Sequence, residues 1–181
     1  MPRGAYVQRM IRIIRSSRIY SKELIMLTRH VIPQTCATPS QGTLSASIGT
    51  SPALTLTAEG LNFARDYYTT DRQMRTTLSA LERLPDMVHG VEITFLSTLT
   101  DGRYAIEDKK VSAVYWQLLV ENDESVFYTH DADSGSISLA FSDALETVEG
   151  AFSFKSTNPD GSILVIDGGK FNIVGRDDLT L

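Results

Sequence analysis

The stretch from Ser134 to Ser142, "SGSISLAFS", puts Ile137, Leu139 and Phe141 at every second position, with Ser136, Ser138 and Ala140 between them. Successive side chains of a strand point to opposite faces, so this alternation predicts a strand with one dry face and one wet face. The same period fills most of the chain beyond Gly42. Leu44, Ala46 and Ile48 alternate with Thr43, Ser45 and Ser47, and Leu54 and Leu56 with Thr55 and Thr57. Val91, Ile93 and Phe95 alternate with Glu92 and Thr94, Val148, Gly150, Phe152 and Phe154 share one parity, and so do Phe171 and Ile173. A chain patterned this way hides its apolar faces either between two sheets or inside one closed sheet.

Turn residues punctuate the pattern. Residues 49–52 and Asp101-Gly102 predict hairpin turns, as do "NPDG" from Asn158 to Gly161 and "DGG" from Asp167 to Gly169. "VSAVYWQLLV" is apolar on both parities, which predicts a central strand covered on both faces, with Trp116 in the core. One segment breaks the period. Met74, Leu78, Leu81 and Leu84 fall at helical spacing, Thr70 or Asp71 suits an N-cap, and Pro85 suits a stop. This predicts an amphipathic helix over residues 72–84. The expected fold is mainly β: an antiparallel sandwich or flattened barrel of nine or ten strands and one helix.

Charge divides the chain. Residues 1–30 carry seven basic side chains and one acidic, a net +6, and the remaining residues carry ten basic and 21 acidic, a net −11. An acidic body repels phosphate backbones, so nucleic-acid binding by the main domain is not expected. No run reaches the ~18 apolar residues of a membrane-spanning helix. Arg12, Arg15 and Arg18 interrupt any apolar core of a secretory signal, which points to the cytoplasm. Lys22-Glu23 admits a ribosome-binding codon pair two codons before Met26, so a start at Met26 is expected, with residues 1–25 outside the native protein. Residues 1–41 thus read as a basic extension and linker, and 42–181 as one β-rich domain. Cys36 is the single cysteine, so no internal disulfide forms. Pro33, Gln34 and Thr35 before it lack the small residues of a lipid-attachment site, and it reads as a linker cysteine.

Motifs that carry chemistry are few. His30, His89 and His130 lie far apart in sequence, and no nucleophile elbow, P-loop or dinucleotide fingerprint occurs. Asp131 and Asp133, with Gly135 after them, match the first half of a calcium loop, but its twelfth position is Ser142 rather than Glu. A solvated turn uses the same residues. Tyr67 and Tyr68 are the candidate binding residues for a sugar or peptide, since adjacent strand residues face opposite ways and one of them must be exposed. Tyr104, Tyr115 and Tyr128 read as half-buried sheet residues. A hydrolase would need two carboxyls brought together in space, and Glu107, Asp108, Asp131 and Asp133 are its candidates.

The C-terminal third resembles a known family. Gly135-Ser136-Ile137, Val148 with Gly150, Phe152-Ser153-Phe154, Asn158-Pro159 with Gly161, and Gly169 with Phe171 follow its pattern, and Gly102 with Tyr104 follows its earlier strand. The family comprises small β-rich bacterial proteins of unknown function, many of them envelope lipoproteins. The resemblance covers about 40 residues closely and implies a β fold, with an envelope or secreted location as the alternative to the cytoplasm. It brings no catalytic residues. The expected function is a non-catalytic β-sandwich module that binds a protein or glycan. The alternatives are a hydrolase and a cytoplasmic regulator or toxin-neutralising protein.

Overall fold

The structure, a computed structural model, describes residues 35–36, 39–50, 53–68, 72–121, 124–142, 144–177 and 179–180; the side chains of 35–36, 66–68, 120–121, 124 and 179–180 lie outside that description. In chain order the strands are β1 (Thr35–Cys36), β2 (Gln41–Ile48), β3 (Leu54–Thr57), β4 (Gly60–Tyr68), β5 (Gln73–Leu84), β6 (Met87–Leu96) and β7 (Gly102–Ala105). A 3-10 turn (Ile106–Asp108) leads to β8 (Val111–Glu121), β9 (Glu124–Asp131), β10 (Ser134–Ser142), β11 (Thr147–Thr157), β12 (Ile163–Val174) and β13 (Leu179–Thr180). One sheet has six strands in the order β3-β2-β12-β11-β10-β7, a second has five in the order β4-β5-β6-β8-β9, and β1 pairs with β13. Every pairing is antiparallel. This is an open two-sheet arrangement and not a closed barrel.

The expected inward residues are inside. Leu44, Ala46, Ile48, Val91, Ile93, Phe95, Ile137, Leu139, Val148, Phe152, Phe154, Phe171 and Ile173 are all buried between the sheets, while Phe141 and Leu54 are half-buried. Phe141 meets Phe63 and Phe95 edge-on, with ring centroids 6.1 and 5.8 Å apart.

Two corners carry the chain between sheets in two residues each. At the first, Ala58 N–H bonds Leu44 C=O of the sheet being left, and Glu59 N–H bonds Leu81 C=O of the sheet being entered. At the second, Ala132 N–H bonds Ala113 C=O and Asp133 N–H bonds Lys155 C=O in the same way. Each backbone group thus finds a partner as the direction changes, as buried backbone must.

Three expectations are corrected. Residues 72–84 form no helix: Gln73–Leu84 is strand β5, in register with β4 on one side and β6 on the other. Thr76, Leu78 and Ala80 are buried at alternate positions, and Met74, a member of the supposed helical stripe, is 42% exposed. Paired Thr76-Thr77 favours extended backbone, and Pro85-Asp86 is a two-residue loop closing the hairpin from Leu84 to Met87. Asp101-Gly102 is not a hairpin turn, because β6 and β7 belong to different sheets.

The third correction concerns Asp167 to Gly169, which is a bulge inside one continuous strand and no turn. Phe152 faces Gly169 while Phe154 faces Ile166, so β12 carries an extra residue there. Gly168 takes φ 60°, the left-handed region that glycine enters without penalty. Buried positions shift from Leu164 and Ile166 to Phe171 and Ile173, from even to odd. With β4 and β5 gained and the two halves of β12 merged, the two sheets hold eleven strands rather than nine or ten.

Candidate functional site

Polar residues lie on the dry parity of the five-stranded sheet. Glu82 pairs with His89, His89 with Gln117 and Gln117 with Tyr128, an inward row across β5, β6, β8 and β9. Glu82 Oε2 accepts the Thr57 N–H at 2.8 Å and lies 3.2 Å from His89 Nε2. His89 Nδ1 lies 3.2 Å from the Tyr115 hydroxyl. The tautomer that carries its proton on Nε2 fits both His89 contacts: it donates to Glu82 and accepts from Tyr115. Burial pushes the Tyr115 phenol up to about 12, which keeps it a donor.

The ring of Tyr115 stacks on His130 at 5.8 Å and 28°. His130 Nδ1 donates to Asn158 Oδ1 at 2.9 Å, and Asn158 Nδ2 donates to Ser162 Oγ at 2.9 Å. Ser162 in turn donates to Asp160 and holds its carboxyl below the ordinary aspartate range. The chain of contacts therefore runs from Thr57 of one sheet, through the interior of the other, to the turn that joins β11 and β12 in the first.

This row resembles a proton relay but is placed as a clamp. His89 and Tyr115 are fully buried, and both imidazole nitrogens are engaged. A general base must reach the proton it removes, and both nitrogens of His89 are already engaged. Sequence reasoning missed Glu82, His89, Tyr115, His130 and Asn158 as a group because they are scattered through the chain. The signal was parity: once β5 is a strand, Glu82 falls in step with Leu78 and Ala80, and His89 with Val91, Ile93 and Phe95.

The sequence candidates lie elsewhere. Asp131 ends β9 and is exposed; Asp133, in the second corner, accepts the Thr157 N–H at 2.5 Å. Glu107 and Asp108 are exposed in the 3-10 turn. Among the described residues no three His, Cys, Asp or Glu side chains gather in a way that could hold a metal ion. Tyr67 and Tyr68 close β4 opposite Met74 and Gln73, and their side chains fall outside the described residues. Met26 and the basic extension also fall outside them. Trp116 is half-buried rather than core: it lies on the outer face, its ring covering Gly90, where an added Cβ would sit 2.6 Å from the indole.

Two exposed surfaces remain. The outer face of the six-stranded sheet holds an open trough of about 650 Å³, floored by small residues and carrying Glu149, Lys170 and Asn172. The second surface is β9, an edge strand of the five-stranded sheet. Phe127 and Tyr128 on it are 49% and 39% exposed, and Phe127 leans on Trp116 with centroids 5.9 Å apart. Among the described residues no helix is long and apolar enough to cross a membrane. The chain matches no protein-family model, no curated protein and no solved structure.

Proposed function

We propose that this chain is a non-catalytic β-sandwich module that binds a protein partner. The observation that carries the reading is two exposed aromatics on the edge strand β9, Phe127 on the outer face beside Trp116 and Tyr128 on the opposite face. Large aromatic side chains bury much area at little entropic cost, and exposed clusters of them mark contact surfaces. The histidine-bearing network supports the same reading, since its buried groups are occupied with each other. A photo-crosslinking residue at Phe127, in the full chain expressed in its native host, tests this. A discrete protein adduct at Phe127, and none at Ala151 in the trough, is the expected result. No adduct at Phe127 would overturn it.

A second reading takes a glycan on the trough, where Glu149, Lys170 and Asn172 offer donors and acceptors above a floor of small side chains. Retention on a glycan array that is lost with Lys170→Ala and Asn172→Ala would support it over the first.

A further inference from the structure

The four edges of the two larger sheets are not alike. β3 and β7 are four residues long, too short to template a long partner strand. β4 is clipped: Asp177 N–H bonds Phe63 C=O at 2.7 Å, and its carboxylate accepts the Phe63 N–H at 3.0 Å. β9 runs for eight residues. The bond from Ala132 N–H to Ala113 C=O sets the phase of its ladder with β8. Antiparallel ladders alternate, so His130, Tyr128 and Val126 bond inward to β8, and the N–H and C=O groups of Ser125, Phe127 and Thr129 point away. No backbone partner for these three occurs among the described residues. An unpaired row of this kind is a template for another strand.

Charge selects the strand. From Glu121 to Asp131 the sequence carries Glu121, Asp123, Glu124 and Asp131 and no Lys or Arg, within a body of net −11. A second copy is disfavoured. It would lay the same acidic run alongside this one, and like charges on paired strands repel. A basic strand meets attraction instead.

Resting on the reading of the chain as a protein-binding module, we propose that β9 docks an extended, basic segment of a partner protein as an added strand. Its apolar side chains would meet Phe127 on one face and Tyr128 on the other, with Lys or Arg beside the two acidic ends.

The test is amide exchange on the full chain, with a capped Lys-Val-Lys-Val-Lys-Val-Lys peptide as probe and its Glu-for-Lys counterpart as control. The basic peptide is expected to slow exchange at Ser125, Phe127 and Thr129 by about tenfold or more at low salt, and less as salt rises. The acidic peptide is expected to leave them unchanged. Thr129→Pro removes an outward donor without touching the β8 ladder and is expected to abolish the protection. Asp131→Lys, an exposed change that leaves the backbone alone, is expected to weaken the basic peptide's effect and strengthen the acidic one's. Equal protection by both peptides, none by the basic one, or slow exchange of these amides in the free chain would overturn the proposal. The crosslink at Phe127 keeps the two claims apart: an adduct there without selective peptide protection retains the partner and removes the added strand.

Discussion

At the scale of single residues, the parity of a polar side chain says more than its chemistry. Glu82 and His89 are unremarkable in sequence, yet each sits where its neighbours on the same face are buried, and each is satisfied by the other. Breaking such a pair leaves a group desolvated without a partner, which costs more than the bond was worth. His89→Ala is expected to lower stability by about 3 kcal/mol in urea denaturation, and Tyr115→Phe by about 1–2 kcal/mol, since it only frees Nδ1. Tyr115 also gives the fold a pH dependence. Phenols of the unfolded chain ionise near pH 10, whereas Tyr115 keeps its proton to about 12 in the fold. Its contribution is therefore whole below about pH 10 and is lost as pH rises through 12. Tyrosinate absorbance should show a last titrating group near 12 that Tyr115→Phe removes. None of this was legible while residues 72–84 read as a helix, because that reading put Glu82 on no sheet face at all.

At the scale of elements, the Gly-x-Phe repeats have a physical reason. Gly150 lies opposite Phe171 and Gly169 opposite Phe152, so two antiparallel strands each lay a phenyl ring over the other's glycine. An added Cβ at Gly169 would stand 2.5 Å from the Phe152 ring, and one at Gly150 would stand 2.0 Å from the Ser138 carbonyl oxygen. A ring yields more readily than a backbone. Gly150→Ala should cost about 2–4 kcal/mol and Gly169→Ala about 1–3 kcal/mol, and Phe152→Leu should recover part of the second loss in a double-mutant cycle. Strands with strict alternation, such as β2 and β10, were readable directly from sequence. β5 was not: its Leu81 and Leu84 imitate a helical stripe, and only pairing with β4 and β6 along its whole length overrides that local signal. The bulge in β12 was read as a turn because glycine and aspartate serve both.

At the scale of the whole molecule, contacts between the sheets are made by named groups at opposite sides: Thr57 with Glu82, His130 with Asn158, and Phe63 with Asp177. The sheets should therefore open together. Trp116 fluorescence and far-ultraviolet circular dichroism are expected to report one coincident urea transition, and two separated midpoints would contradict this. With pairings that join distant parts of the chain and no α-helix among the described residues to form first, refolding should take milliseconds to seconds. The antiparallel two-sheet class was readable from alternation, but sheet membership was not: the strands flanking Asp101-Gly102 are neighbours in sequence and strangers in space. The extra residue at Gly168 lengthens one strand of the pair without changing which faces it shows. Deleting that one glycine would leave Asp167 alone between Ile166 and Gly169, so strict alternation would run unbroken, with Phe171 and Ile173 still inside and Lys170 and Asn172 still in water. What would go is the local bend and added twist that a bulge gives its strand, and the two sheets would close on a flatter surface.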